Sequence, residues 1–552
     1  MKITRRKAIK TLAGVAPGAM LGKFAHSRAV RDFESQSFAL SQPRAAGAQA
    51  GAAASADLAI EKGPFEGTRE SLAKYEIPKW FEDAKFGIWA HWGPQSAVEQ
   101  GDWYAREMYI QGTRQYEYHL GRYGHPSKIG YKDLCPDWKA REFDPEHLIK
   151  LYKRAGAKYF MSMGVHHDNF DLWNSKYTRW NAVKMGPEKD VVGMWRDAAR
   201  RHDLRFAVSD HLWISYKWFA VSHGSDTTGP MAGVPYDGVN PEYADLYHDA
   251  GCARWAHAAK PEQFGWNDEG VPEAWKQHWF ERIRDLVDSY QPDLLYSDGP
   301  IPFEDYGTKI VANLYNLSAR LNGGRVEAVY TSKQKEDSAE GLCVLDFERG
   351  LPNEILQHHW QTDTCIGSWH YDINLYRDHK YKTPKTVIDL LVDIVSQNGN
   401  LMLNFPLPNS GVPDPDEMKV LEAVTGWMGV NSEGIYATRP WKVYGEGPSF
   451  ASAKPGAAFN ERARKPLTAD DVRFTTKGNT LYAFVMGWPE SEVKIKALGS
   501  ASVEKAGKIA NVELLGYGGR LDWKQQAEAL RVTLPPGAKH SDYAVTLKVT
   551  RT

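Results

Sequence analysis

The chain has 552 residues, more than one hydrophobic core usually serves, so two or three domains are expected. Its 68 Lys and Arg against 69 Asp and Glu leave a formal charge of -1, which offers nothing to nucleic acid or to an anionic membrane. Aromatic residues reach 12 %, with 20 Trp and 27 Tyr, a composition that fills a large core and also suits clefts that stack on the apolar faces of sugars. Cys135, Cys252, Cys343 and Cys365 are scattered without a CxxC pair, so neither a zinc knuckle nor a disulfide framework is expected. Cys343 and Cys365 lie in strand-like runs and are expected to be buried free thiols.

In chain order, Thr4-Arg5-Arg6-Lys7 precedes a mildly apolar run, Thr11 to Leu21. At roughly a dozen residues it falls well short of the ~20 needed to cross a bilayer. A twin arginine before such a run reads as a bacterial Tat signal over residues 1–30, with a periplasmic or secreted destination. Residues 31–70, including the Ala/Gly-rich stretch Ala45 to Ala56, read as a flexible linker.

From Tyr75 onward strand-like and helical runs alternate. Phe86 to Ala90 is a buried strand that ends at His91-Trp92-Gly93-Pro94. Asp144-Pro145 opens a helix, with Asp at the N-cap, Pro in the first turn, and Leu148, Ile149, Leu151 and Tyr152 on the apolar face. Lys158 to Val165 is the next strand and ends at His166-His167. Helix Val191 to His202 then leads to strand Leu204 to Ser209, ending at Asp210-His211. Helix Trp275 to Tyr290 leads to Asp293-Leu294-Leu295-Tyr296-Ser297-Asp298, too short an apolar run for a helix and broken by Gly299-Pro300. Val326 to Tyr330, Leu342 to Leu345 and Leu401 to Phe405 continue the series, while no helix is legible between Phe347 and Trp369. Repeated strand–helix units without hairpin turns predict an α/β fold, a (β/α)8 TIM-like barrel over residues 71–435. Beyond Gly434 the helical period stops. Alternating runs such as Val472 to Thr475, Leu481 to Val485, Val493 to Ile495, Leu530 to Leu534 and Asp542 to Val549 predict a small C-terminal antiparallel β-sandwich over residues 436–552.

In such a barrel the C-terminal strand tips form the catalytic face. Asp298 before Gly would serve equally as a turn cap. Convergence points instead to a site, because His91, His166, His167, Asp210, His211 and Glu348 fall at other strand ends. Histidines with carboxylates could hold a metal. However, adjacent strand residues point to opposite faces, so His166 and His167 would share an ion only from a loop, and no metal or other cofactor is expected. Glycoside hydrolysis fits the set better, since it needs two carboxylates and neutral partners for hydroxyls.

Several segments resemble glycoside hydrolase family 29, the α-L-fucosidases. They are Trp80 to Ile88 running into His91-Trp92-Gly93-Pro94, Asp102-Trp103-Tyr104, Phe160 to Trp173, Gln361-Thr362-Asp363-Thr364, Trp369-His370-Tyr371 and Asn398 to Asn404. The resemblance covers roughly residues 75 to 435 and continues into the sandwich. It implies an exo-acting, retaining enzyme that removes terminal α-L-fucose from oligosaccharides or polysaccharides, with Asp298 as nucleophile. It further implies Glu348 as acid/base, with Asp346 on the same strand face as runner-up and Glu304 and Glu354 as weaker candidates. Its sugar contacts fall on His91, Asp102, Trp103, His166, His167, His211, Lys333 and Trp369, with Trp369 near the C5 methyl. His358-His359 matches no family site and reads as surface or structural.

Two departures from the family pattern bear on the sugar. Asp102 stands where Glu is common, and Asn169 where Gly is common. Both leave open a substituted fucose or a galactose-like sugar as the substrate, and a non-catalytic sugar-binding homologue is the rival from another class. The segments Val221 to Gly270 and Gly112 to Lys139 are expected to wall the leaving-group subsite.

Overall fold

The computed structural model describes residues 58–456, 458–490, 492–539 and 541–552. The expected signal over residues 1–30 and most of the expected linker lie outside the described residues. From Leu58 onward the chain is docked. Asn313 accepts from the Glu61 amide at 2.7 Å, and Asn316 accepts from the Phe65 amide at 3.0 Å while its own amide reaches the Glu61 and Phe65 carbonyls.

Eight parallel strands form a closed barrel in sequential order: β1 Phe86–Ala90, β2 Tyr159–Val165, β3 Arg205–Asp210, β4 Leu294–Ser297, β5 Val329–Ser332, β6 Val344–Glu348, β7 Trp360–Cys365 and β8 Gly399–Asn404. β8 closes on β1 with Phe86 opposite Leu401 and Trp89 opposite Asn404. The two faces of the strands separate cleanly. Trp89, Tyr159, Met161, Ala207, Leu294, Tyr296, Val329, Val344 and Met402 fill the barrel interior, and Phe81 with Ala84 completes that cluster from the helix Lys79–Ala84 just before β1. Their alternate neighbours, such as Ile88, Phe160, Phe206, Leu295 and Leu403, pack outward on the helices. Each fully buried large apolar side chain contributes about 1.5–3 kcal/mol. Gly87 is required by close approach, because a Cβ there would stand 2.5 Å from the Tyr159 ring.

Among the helices between strands are α1 Pro145–Arg154, α2 Val191–Arg201, α3 Glu273–Tyr290, α4 Asp305–Leu321, the short α5 Lys335–Ala339, and α6 Pro384–Ser396; α7 Pro415–Asn431 follows β8. Asp144 caps α1 through the His147 amide, as the Asp-Pro start predicts. β6 and β7 are joined without a helix, which is why no helical period is legible there. β7 carries Gln361, Thr362, Asp363 and Thr364, so its polar run hides a buried strand.

After α7 come β9 Arg439–Glu446, β10 Val472–Lys477, β11 Thr480–Val485, β12 Glu492–Ile495, β13 Ile509–Leu514, β14 Asp522–Gln525, β15 Leu530–Thr533 and β16 Val545–Arg551. They make antiparallel sheets in the orders β13-β16-β11-β10-β9 and β12-β15-β14. Val472, Phe474, Leu481, Val485, Val493, Ile495, Leu530 and Val532 pack into one core from both sheets, the arrangement of a sandwich. The four cysteines are buried, and none is in a disulfide among the described residues.

Candidate active site

The site lies where the strands end, at the C-terminal face of the barrel. Asp298 follows β4 directly. Its backbone is fixed at both ends, with the amide donating to the Asp210 carbonyl at 3.2 Å and the carbonyl accepting from Trp213 Nε1 at 2.9 Å. Gly299 is glycine because the Trp213 indole lies against it; a Cβ would stand 2.6 Å from the ring. The breaker pair thus serves close packing beside a carboxylate rather than a simple turn.

Three groups surround the Asp298 carboxylate. His167 Nε2 and His211 Nδ1 stand 3.4 and 3.2 Å from Oδ2, and the Tyr296 hydroxyl donates to Oδ1 across 3.1 Å. His167 Nδ1 bonds the His211 carbonyl at 2.6 Å, which sets the ring plane and aims Nε2 at Asp298. Burial alone would raise the Asp298 carboxyl. The contacts from His167 and His211 and the Lys333 charge outweigh it and hold the group well below its ordinary value.

Lys333, just past β5, is buried among four carboxylates. Its Nζ lies 3.7 Å from Asp298, 3.3 Å from Asp346, 3.3 Å from Glu348 and 3.2 Å from Asp363. One ammonium cannot balance four ionised carboxylates in a low-dielectric site, so protons must be retained among them. Burial pushes Asp363 well up, Asp346 adds to it, and Lys333 opposes. Asp346 is raised as well, again by burial first. Glu348, at the end of β6, is raised by burial against the opposing Lys333, with Asp298 adding to the rise, to about 7. Trp369 Nε1 donates to Glu348 Oε1 at 3.2 Å.

The remaining sequence-predicted residues converge on the same space. His91, His166, His211 and His370 pack ring against ring, with centroids 4.8 to 5.7 Å apart. Trp369 lies 5.2 Å from His91, and Trp103 meets His167 edge-on at 6.1 Å. Gln95 donates to His166 Nδ1 at 3.0 Å, and Asp102 bonds His370 Nδ1 at 2.7 Å. Burial pushes His91 and His166 well below their ordinary value and His211 down to about 4, so these rings stay neutral. His91 Nδ1 and His370 Nε2 are buried with no hydrogen-bond partner among the described residues. Buried polar atoms normally find partners, and hydroxyl groups of a ligand would supply them. The sets His91/His166/His211, Asp102/His166/His370 and His167/His211/Asp298 also have metal-ligating spacing, their donor atoms lying within 4.8 Å of one another.

Some expectations change. Asp210 turns away from the cluster, capping the Leu212 amide at 2.7 Å and accepting from Trp279 at 2.9 Å. Asn169 has a left-handed φ of 64°, which explains why glycine suits this position. Its side chain bonds the Asp245 and Leu246 carbonyls and Arg282, so it holds a loop rather than facing a sugar. Glu304 and Glu354 are exposed. His359 is structural, bonded to Asn400 at 2.8 Å, while His358 is exposed.

Tyr296, Asp363 and His370 received no role from the sequence. A period-2 reading back from Asp298 would have found Tyr296, and one along β7 would have placed Asp363 inward beside Glu348, its register partner. His370 has no such signal, because it lies on a loop.

Neutral imidazoles and indoles beside carboxylates in contrasting environments suit cleavage of a glycosidic bond, and the barrel is a frequent scaffold for that chemistry. The class is therefore that of glycoside hydrolases. The sequence matches the family description Alpha-L-fucosidase over residues 52–433 and Alpha-L-fucosidase C-terminal domain over residues 464–550. Tissue alpha-L-fucosidase of Rattus norvegicus is 28% identical over 498 residues, covering 87% of this chain and 91% of that protein. Plasma alpha-L-fucosidase of Homo sapiens is 27% identical over 490 residues, covering 85% and 88%. The crystal structure of Thermotoga maritima alpha-fucosidase shares the fold with a TM-score of 0.66 at 24% identity, covering 88% of this chain and 100% of that one. The chain belongs to the α-L-fucosidase family, glycoside hydrolase family 29, and is a glycoside hydrolase of the α-L-fucosidase type.

The relatives also correct the expected compartment. The reading of a bacterial, Tat-exported periplasmic protein is contradicted by matches to tissue and plasma fucosidases of mammals. Its physical basis was thin, since a basic pair before a short apolar run carries little information about destination. No helix among the described residues is long and apolar enough to cross a membrane.

Proposed function

We propose that the enzyme removes terminal α-L-fucose from glycans with net retention, Asp298 attacking the anomeric carbon and Glu348 serving as acid/base. The observation that carries this reading is the opposite tuning of two carboxylates that share one ammonium. Asp298 is held ionised by His167, His211 and Lys333, while Glu348 is kept protonated by burial to about 7. A pair of titratable groups pushed apart in this way is the usual assignment of nucleophile and acid. Their oxygens lie no farther apart than the sum of the 3.7 and 3.3 Å contacts to Lys333. That bound falls below most of the ~6.5–9.5 Å range of inverting pairs, which must leave room for a water.

In the first step Asp298 forms the glycosyl ester while Glu348 passes its proton to the departing oxygen. In the second, Glu348 accepts a proton from water, which then opens the ester. His91, His166, His167 and His211 are the partners for sugar hydroxyls, with Asp102 acting through His370. Trp369 and Trp103 offer apolar faces, Trp369 towards the C5 methyl. Lys333 sets the charge balance of both carboxylates. Following the first-formed product anomer by NMR tests the reading. α-Fucose supports it, and β-fucose would replace it with a single displacement.

A further inference from the structure

The loop that follows Glu348 is held from outside the barrel. Arg349 adopts a left-handed conformation with φ 48°, unusual for a residue with a side chain, and it turns the chain sharply at the end of β6. A segment between β9 and β10 grips both sides of that turn. The Phe459 amide donates to the Glu348 carbonyl at 2.8 Å, and the Glu461 amide donates to the Arg349 carbonyl at 3.1 Å. Asn460 brackets Leu351, accepting from its amide at 3.0 Å and donating to its carbonyl at 2.7 Å. The Gly456 amide reaches the Pro352 carbonyl at 2.8 Å. Gly456 is pressed so closely that a Cβ would stand 2.1 Å from the Leu351 carbonyl oxygen.

The centre of this clamp is the Glu461 carboxylate, of which only 5% is exposed. It accepts from Arg349 Nε at 2.9 Å, Thr364 Oγ1 at 2.7 Å and Lys382 Nζ at 3.0 Å. Thr364 lies on β7, one residue past Asp363, and Asp363 in turn takes the Arg349 amide on its carbonyl at 2.8 Å. One side chain from the C-terminal half thereby ties together the ends of β6 and β7 and the entry to α6. Burial would lift its carboxyl, but Lys382 and Arg349 hold it down at about 2, so the tie is ionised throughout the working range.

We propose that Glu461 is a positioning residue for catalysis, fixing the Glu348–Arg349 turn so that the Glu348 carboxyl meets the departing oxygen. The proposal rests on the reading of Glu348 as acid/base. It gives the C-terminal segment a part in the chemistry. Two consequences follow. A loosened Glu348 impairs protonation of poor leaving groups while sparing good ones. Removing the Glu461 charge also takes a carboxylate away from the Arg349 guanidinium, whose charge lowers Glu348, and this moves the basic limb of activity to lower pH.

The experiment compares Glu461→Ala and Glu461→Gln with the unmodified enzyme and with Glu348→Ala, on nitrophenyl α-L-fucoside and on a fucosylated oligosaccharide. For Glu461→Ala the expected loss in kcat/KM on the oligosaccharide is on the order of 10- to 10²-fold, the scale of a small misplacement of a reacting group. The loss on the nitrophenyl substrate should be much smaller. Glu461→Gln, which keeps the shape and folds if Glu461→Ala does not, should show the same ordering and a basic limb displaced to lower pH. Equal losses on both substrates, or an unmoved limb in Glu461→Gln, would reduce Glu461 to a structural residue. If Glu348→Ala itself showed no dependence on leaving group, the acid/base reading would fail and this proposal with it. If Glu348→Ala showed it and the Glu461 variants did not, this proposal alone would fail.

Discussion

Tyr296 and Asp298 stand two residues apart on one face of β4 and its extension, and the Tyr296 hydroxyl donates to Asp298 Oδ1 across 3.1 Å. The same hydroxyl lies 2.8 Å from Asp363 Oδ2. A phenol has one proton, so a carboxylate on both sides would leave one contact unsatisfied. Asp363 is pushed well above its ordinary value by burial and by Asp346, so it competes for that proton less strongly than Asp298, which is held well below its own.

Tyr296→Phe should weaken the proposed attack by Asp298 without disturbing the barrel, since only the hydroxyl is removed from an otherwise buried ring. A hydrogen bond to a charged group is worth roughly 1.5–3 kcal/mol, so kcat should fall by about 10- to 10²-fold. Steady-state kinetics on nitrophenyl fucoside, with thermal melting as the control for folding, measures it. An unchanged kcat would remove Tyr296 from the machinery.

The pH profile follows from the two carboxylates. As the proposed acid, Glu348 must carry a proton, so kcat/KM should fall as pH rises through about 7. As the proposed nucleophile, Asp298 must be ionised, and it is held below the usual carboxylate range, so activity should persist to unusually acidic pH. Lys333 lowers both groups. Lys333→Met should therefore shift both limbs upward and reduce the maximum. A basic limb that stays in place in this variant would mean that another group sets it.

How much of this was legible in the sequence depends on how each residue is held. Strand tips announce themselves, because a short apolar run stops at a polar residue and a breaker; His91, His166, His211 and Asp298 were found that way. Residues inside polar strands were not. β7 reads as Gln-Thr-Asp-Thr, and only the register with β6 reveals that Asp363 is buried beside Glu348. Four carboxylates on Lys333 come from β6, β7 and the residue just past β4, and no local pattern encodes such a meeting. β9, β13 and β14 escaped for another reason. They alternate weakly, and their identity comes from pairing with β10, β16 and β15.

The acid/base assignment between Glu348 and Asp346 has a chemical test. Glu348→Ala should slow glycosylation on oligosaccharides by about 10²–10⁴, the usual contribution of acid–base catalysis, and nitrophenyl fucoside should suffer less. Azide needs no base, so it should restore turnover and yield α-fucosyl azide through two inversions. Asp346 bonds Gln361 at 2.8 Å and Lys333 at 3.3 Å, deeper on the strand. Asp346→Ala should accordingly show no azide rescue. Rescue by Asp346→Ala alone would transfer the role two residues upstream.

The account turns on Asp298 as the nucleophile, and a covalent intermediate reports that directly. Asp298→Asn should leave folding intact and remove nearly all turnover, because the nearly isosteric amide cannot form the glycosyl ester. The sharper measurement incubates the unmodified enzyme with a 2-fluoro-fucosyl fluoride, whose fluorine slows the second step, and maps the labelled peptide by mass spectrometry. The label is expected on Asp298, in the peptide that contains Leu294-Leu295-Tyr296-Ser297-Asp298. A label on Glu348 or Asp346, with Asp298 unmodified, would contradict the account at its centre.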